Sequence, residues 1–232
     1  MNRGENMFWY DSTYLLLIPA MLIAMWAQAK VSTALTHWKT IRASAGISGA
    51  QLARTLLDQN QLSQVSVEVA DGNMGDHYDP SKRSVRLSPE IYQGSSVAAL
   101  SVSAHETGHA IQHKESYAFL SFRTLVFPLA NFGSTLAFPL FILGLIMSFD
   151  VLINLGILLF ALAVLFQIVT LPVEYNASAR AKQMLTQGGY ITQQESTGVQ
   201  DVLNAAALTY VAAAFMAVMQ LLRLLLLRNR RR

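Results

Sequence analysis

A chain of 232 residues with 53% hydrophobic and only 13% charged side chains is too apolar for an ordinary soluble domain, whose charged share is about 25%. The net charge of +3 does not point to nucleic acid, because the basic residues flank apolar stretches or sit in the tail "LLRNRRR" and form no stripe on a folded surface. There is no cysteine, which excludes a disulfide framework and thiolate metal ligands and fits a reducing compartment.

In chain order, the first apolar stretch runs from Tyr14 to Ala29. Its flank carries Glu5 and Asp11 with only Arg3, and "AQAKVSTAL" is an ambiguous cleavage site, so residues 1–29 read as a retained transmembrane anchor and not as a signal peptide. The polar region 30–123 reads as a small α+β unit. Ser48 with Gln51 three residues on suits a capping box opening a helix through "GAQLARTLLDQ". Val65, Val67 and Val69 alternate with polar or small residues as a half-buried strand, Asp79, Pro80 and Ser81 mark a turn, and Val85 and Leu87 form a short second strand. Gly94, Ser95 and Ser96 then break the chain and offer a cap to a helix through "VAALSVSAHETGHAIQH". Leu125 to Met147 and Val151 to Leu171 form a membrane hairpin within residues 124–173, each stretch long enough at 1.5 Å per residue to cross about 30 Å of hydrocarbon. Residues 174–204 read as a helix that stops at Gly188 and Gly189 and restarts near Thr192 or Ser196. Residues 205–232 are an apolar helix, Ala205 to Leu227, that either spans or lies at the interface, followed by the basic tail. The fold class expected is therefore an α+β membrane protein, mostly helical, with a small strand region before the histidine helix.

"SAHETGHAIQH" carries the chemistry. Residues four apart share one helix face, so His105 and His109 can offer imidazole nitrogens to one metal ion, while Glu106, about 100° around the axis, can reach a water there without being a ligand. Zinc held by neutral imidazoles with an open position lowers the pKa of its water to about 7, and a carboxylate beside it can act as general base and return the proton to the leaving amine. The competing reading is a chance register of two histidines and a glutamate on a polar helix face; the predicted helix, the strand before it and the small residues Thr107 and Gly108 favour the metal. His113 is a poor third ligand, since eight residues of straight helix place it about 12 Å from His105. A capping or outer role suits it better. The hairpin returns the chain at "LPVEYNASARA", where Glu174 is the first carboxylate; Asp150 lies at the far end of the hairpin, and Glu195 and Asp201 lie beyond the glycine break. Carboxylates beside hydrocarbon are costly and tend to be functional. Ser178, one turn on, is placed to support Glu174 by a hydrogen bond.

"GNMGDHYDPSKRSVRLS", "SAHETGH", "LPVEYNASARA" and "LNAAALTYVAAA" resemble the YugP-type neutral zinc metallopeptidases of bacterial membranes, over roughly Leu52 to Leu222. More distantly, the order of strand, H-E-x-x-H, membrane hairpin and helical glutamate is similar to the HtpX and CaaX prenyl protease group. The resemblance implies a gluzincin-like zinc protease core, and in the wider group the third ligand opens an E-F-x-A-D pattern that would match Glu174, Tyr175, Asn176, Ala177 and Ser178, with serine in place of the aspartate. It also implies a cleft along "GNMGDHYD" and "SVRLS", with Asn73, His77, Ser84, Val85 and Arg86 as contacts to an extended peptide added at a sheet edge.

The function expected is a membrane-embedded zinc metalloendopeptidase, with one zinc ion per chain held by His105, His109 and Glu174 and with Glu106 as base. Its partners are a peptide or protein substrate, membrane proteins among them, and the lipid bilayer. His77, Tyr175, Arg180 and Tyr210 are the candidates for stabilising the oxyanion. The alternative is a non-enzymatic scaffold with structural zinc, but such sites are closed by four protein ligands and have no use for Glu106. A metal transporter would want ionisable groups within several spans, and these hold almost none. Lys30, Lys39, Arg42, Arg54, Lys82, Arg83, Arg86, Lys114 and Arg123 lie between the first two spans and none lies in Ser148, Phe149 and Asp150, so the positive-inside rule puts the site at the cytoplasmic face of the inner membrane. Four crossings would place Arg228 and Arg230 to Arg232 outside, against the same rule.

Overall fold

The computed structural model describes residues 12–71 and 75–230; Asn73, one of the expected peptide contacts, lies outside them. A 3-10 turn, Ser12–Leu16, leads into α1, Leu17–Thr40, and then come α2, Gly49–Gln59, β1, Ser66–Val69, β2, His77–Asp79, and β3, Ser84–Leu87. The remainder is helical: α3, Pro89–Gln93, α4, Val97–Lys114, α5, Ala118–Met147, α6, Asp150–Gln187, and α7, Gln193–Asn229. The protein is thus mostly helical with one three-stranded sheet, and α1, α5, α6 and α7 fall in segments long and apolar enough to cross a membrane.

The helix starts follow the local chemistry. Ser48 accepts from the Gln51 amide and Gln51 returns its side chain to the Ser48 amide, completing the expected capping box. Ser96 caps α4 through the Ala99 amide. Thr192 and Glu195 bond each other's amides in the same reciprocal way at the start of α7, and α6 ends where Gly189 adopts a φ of +68°, a left-handed turn that favours glycine. Glu174 does not open a new helix. It continues α6, which runs unbroken through Pro172.

The chain divides into two units. One, Ala27–Phe122 with Thr170–Thr209, holds the sheet in the order β1-β3-β2, β1 parallel and β2 antiparallel to β3. β2 was not expected from the sequence: three residues, His77, Tyr78 and Asp79, have no apolar alternation to announce them. Its turn is fixed by Asp79, whose carboxylate accepts from the Ser81 and Lys82 amides. Burial opposes ionisation of Asp79, but those amides together with the charges of Arg86 and Lys82 more than offset it and hold its pKa below the usual range. Helix α4 is the centre of the unit. Val97, Leu100 and Ala104 pack with Leu52 and Leu56 of α2, Ala181 and Leu185 of α6, and Val199 and Leu203 of α7, while Ala99, Ala110 and Ile111 pack on Val65, Val85, Leu87 and Leu57. A helix covered on both sides carries its polar residues into the interior, and Glu106, Thr107 and Gln112 are all buried.

The other unit comprises the described residues of Met1–Trp26, Arg123–Val169 and Tyr210–Arg232. Gly133 lies against the backbone of Leu159, Gly144 against Ile153 and Gly156 against Ala137 and Phe141, the small-residue contacts by which apolar helices approach closely. Phe141, Ile153, Ile157 and Leu224 form its core, and Leu125, Phe132, Ile146 and Leu158 are exposed, as a hydrocarbon solvent allows.

Candidate metal centre

His105 and His109 lie one turn apart on α4 with ring centroids 4.7 Å apart. Helix α6 supplies the third group: Glu174 Oε2 lies 3.2 Å from His105 Nε2 and 3.5 Å from His109 Nε2. These spacings suit one ion. Ligand bonds of about 2.0–2.2 Å in tetrahedral array put pairs of ligand atoms roughly 3.3–3.6 Å apart, and the three candidate ligand atoms all lie within 4.8 Å of one another. Two nitrogens and a carboxylate oxygen are also the donor set zinc takes in hydrolytic sites. Burial works against charge on His109, but the bond to Glu174 and the charges of Glu106 and Glu174 more than offset it and raise its pKa. The carboxylates of Glu106 and Glu174 thus favour positive charge on His109. Among the described residues the cluster has three members, which leaves a coordination position for water or substrate.

The approach of α6 to α4 depends on two small residues. A Cβ at Gly108 would lie 2.8 Å from the Ala177 carbonyl oxygen and 3.3 Å from its Cα. Gly108→Ala would normally stabilise a helix interior by up to about 1 kcal/mol. Here it must push apart a pair of helices whose contact sets the ligand spacing, and overpacking of that kind costs about 1–3 kcal/mol. The variant is expected to melt at a lower temperature than the parent and to hold zinc more weakly, measured by thermal unfolding and chelator competition in detergent.

Other expected site residues fall as follows. Ser178 Oγ lies 3.2 Å from His105 Nδ1, a partner that the sequence reading, which set Ser178 beside Glu174, did not anticipate. His113 joins Tyr78 across α4 and β2, with its Nδ1 2.8 Å from the Tyr78 hydroxyl. Ser84 and Val85 are fully buried on β3, which is paired on both sides, so a peptide strand would have to add at the outer edge of β2 or β1. Arg86 pairs with Glu68 at 3.4 Å, and His77 Nδ1 meets the Gly75 carbonyl at 2.8 Å. Of the oxyanion candidates, Arg180 is held by Asn176 and Glu115, Tyr175 is half exposed, and Tyr210 belongs to the other unit. Sequence reasoning missed Gln112, which is completely buried and whose Oε1 is 3.0 Å from His109 Nδ1. Its signal was present: an amide one turn beyond a histidine on a helix otherwise buried by alanines and aliphatics.

Comparison with known proteins adds two findings. The family described as "putative neutral zinc metallopeptidase" matches residues 13–229. The chain is 49% identical over 212 residues, 91% of its own length and 94% of the relative's, to the "putative membrane protease YugP" of Bacillus subtilis (strain 168). No solved structure matches it.

Proposed function

The chain belongs to the neutral zinc metallopeptidase family, and on that footing we propose that it is a membrane-embedded zinc metalloendopeptidase with Glu106 as general base. The observation that carries this reading is the convergence of His105, His109 and Glu174 on one point, with Glu106 buried on the same helix. Zinc, when bound there, supplies a Lewis acid that polarises the scissile carbonyl and acidifies a water molecule. Glu106 takes the water's proton and returns it to the leaving amine. It is buried on α4, and its charge acts on the neighbouring ligand candidate His109, which brings a carboxylate that is not a ligand to the edge of the site. Three candidate ligands in place of four among the described residues, together with a carboxylate that ligation does not use, favour catalysis over a closed structural site.

The substrate is an extended peptide or protein segment docking along the outer edge of β2, an edge strand of the sheet that is tied to the histidine helix through Tyr78 and His113. Metal analysis of the purified full chain, paired with cleavage of a peptide library and its inhibition by a zinc chelator, tests the assignment. Zinc near one equivalent with chelator-sensitive cleavage supports it; a metal-free chain that cleaves equally well overturns it.

The lysines and arginines between the first two apolar helices favour the cytoplasmic side of an inner membrane for this region. The absence of native cysteine makes the test direct. In intact cells, Ser148→Cys is expected to react with an impermeant thiol reagent and Ser81→Cys to be protected. Both positions are exposed, so protection reports the membrane and not burial. Strong labelling of Ser81→Cys in sealed cells reverses the orientation.

A further inference from the structure

We propose that Gln112, aligned by Asn176 and Arg180, is the residue that fixes which nitrogen of His109 faces the metal. The inference rests on the metal-centre reading above and concerns residues that the ligand set does not include.

Arg180 has an unambiguous role in this chain of bonds, because a guanidinium donates and never accepts. Its Nε donates to Asn176 Oδ1 at 2.8 Å, and Arg180 is itself held by Glu115, whose Oε2 accepts at 2.6 Å. That donation identifies the atom of Asn176 facing Arg180 as oxygen. The same oxygen lies 2.9 Å from the side chain of Gln112, so Gln112 must present its NH₂ there. A second contact agrees: Gln112 Nε2 lies 2.8 Å from the Val173 carbonyl oxygen, which can only accept. With both amide hydrogens committed, Gln112 Oε1 is left facing His109 Nδ1 at 3.0 Å. An oxygen there can only accept, so Nδ1 carries the hydrogen, and in the neutral ring Nε2 is the lone-pair nitrogen. That is the nitrogen 3.5 Å from Glu174 Oε2.

His105 is held differently. Its Nδ1 meets Ser178 Oγ at 3.2 Å, and a hydroxyl can donate or accept, so this contact alone does not select a tautomer. The fully buried amide of Gln112 therefore gives Nδ1 of His109 a constraint that the Ser178 hydroxyl does not give Nδ1 of His105. It also ties α4 to α6 at the level of the ligands, because Val173 immediately precedes Glu174 and Asn176 follows it by two residues.

The test compares two substitutions on the full chain in detergent, read by zinc affinity in chelator competition and by thermal unfolding of the metal-free protein. Gln112→Met keeps the side-chain length and loses both roles. Gln112→Glu keeps an acceptor for His109 Nδ1 but loses the donors to Val173 and Asn176 and buries a charge. If Gln112 positions His109, Gln112→Met loses about 10- to 100-fold in zinc affinity, the range for partners of metal-bound histidines. Gln112→Glu then stays within a few-fold of the parent although it is the less stable of the two. A role in packing alone predicts the opposite order, with affinity following stability. Arg180→Met adds a second check: it should weaken zinc in the parent and add nothing in the Gln112→Met background. Parental affinity in Gln112→Met, or full additivity with Arg180→Met, overturns the proposal. A parent chain that binds no zinc fails the metal-centre reading instead.

Discussion

Glu106→Gln should keep its zinc and lose its hydrolysis. The exchange preserves size and hydrogen-bonding capacity but removes the site that accepts a proton. Glu106 is buried on α4 and is not among the three groups that converge on one point, so zinc should stay bound, weakened only by the loss of one nearby negative charge. General-base assistance is worth about 10²- to 10⁴-fold. A residue that both activates water and protonates the leaving amine belongs near the top of that range, about 5 kcal/mol of barrier. On the proposed docking mode, an extended peptide would be held by the sheet edge and the metal, so its binding should survive and make the variant a trap for substrates recovered from membranes. Single-turnover cleavage of a peptide, with metal content measured on the same preparation, decides the matter. Cleavage within a few-fold of the parent by zinc-loaded Glu106→Gln would remove Glu106 from the base's role.

The parts of this molecule that declare themselves in sequence are those governed by short-range rules. Ser48 with Gln51 and Ser96 with Ala99 are caps set by one turn of backbone, and the spacing of His105 and His109 is a property of any helix. Glu174 follows from topology, since a hairpin of two apolar stretches must return the chain to its starting side. What sequence hides is the lateral packing of α4 against α6. Nothing in the order of residues announces that Gly108 meets Ala177, yet that contact sets where Glu174 stands. Gln112 and Asn176 stay silent for the same reason: each is an ordinary polar residue until the helices are brought side by side. β2 is hidden because its stability comes from pairing with β3 and from the Tyr78 to His113 contact, and its own three residues carry no period.

The second large effect concerns the ligands. Glu174→Ala should lose bound zinc, as should His105→Ala and His109→Ala, whereas His113→Ala should keep it. Structural zinc in zinc-finger peptides is bound with at least about 10 kcal/mol, and the lower figure serves here as a scale. Shared over three protein ligands, each loss then weakens the ion by about 3 kcal/mol, or roughly 10²-fold. His113 bonds Tyr78, on the sheet side of α4, and its removal costs a hydrogen bond without touching the cluster. Stability supplies an independent reading of the same claim. An ion bound only by the folded state raises its stability by about 2.7 kcal/mol at a hundred times its dissociation constant. Zinc should therefore raise the melting temperature of the parent and of His113→Ala, whereas the same concentration, now close to the weakened dissociation constant of Glu174→Ala, should stabilise that variant by only about 0.4 kcal/mol. A purely structural Glu174, 2% exposed at the contact of α4 and α6, would behave otherwise: its loss would lower the melting temperature with and without zinc by the same amount. If zinc remains bound to Glu174→Ala at one equivalent with unchanged affinity, Glu174 leaves the ligand set and another oxygen donor must close the site.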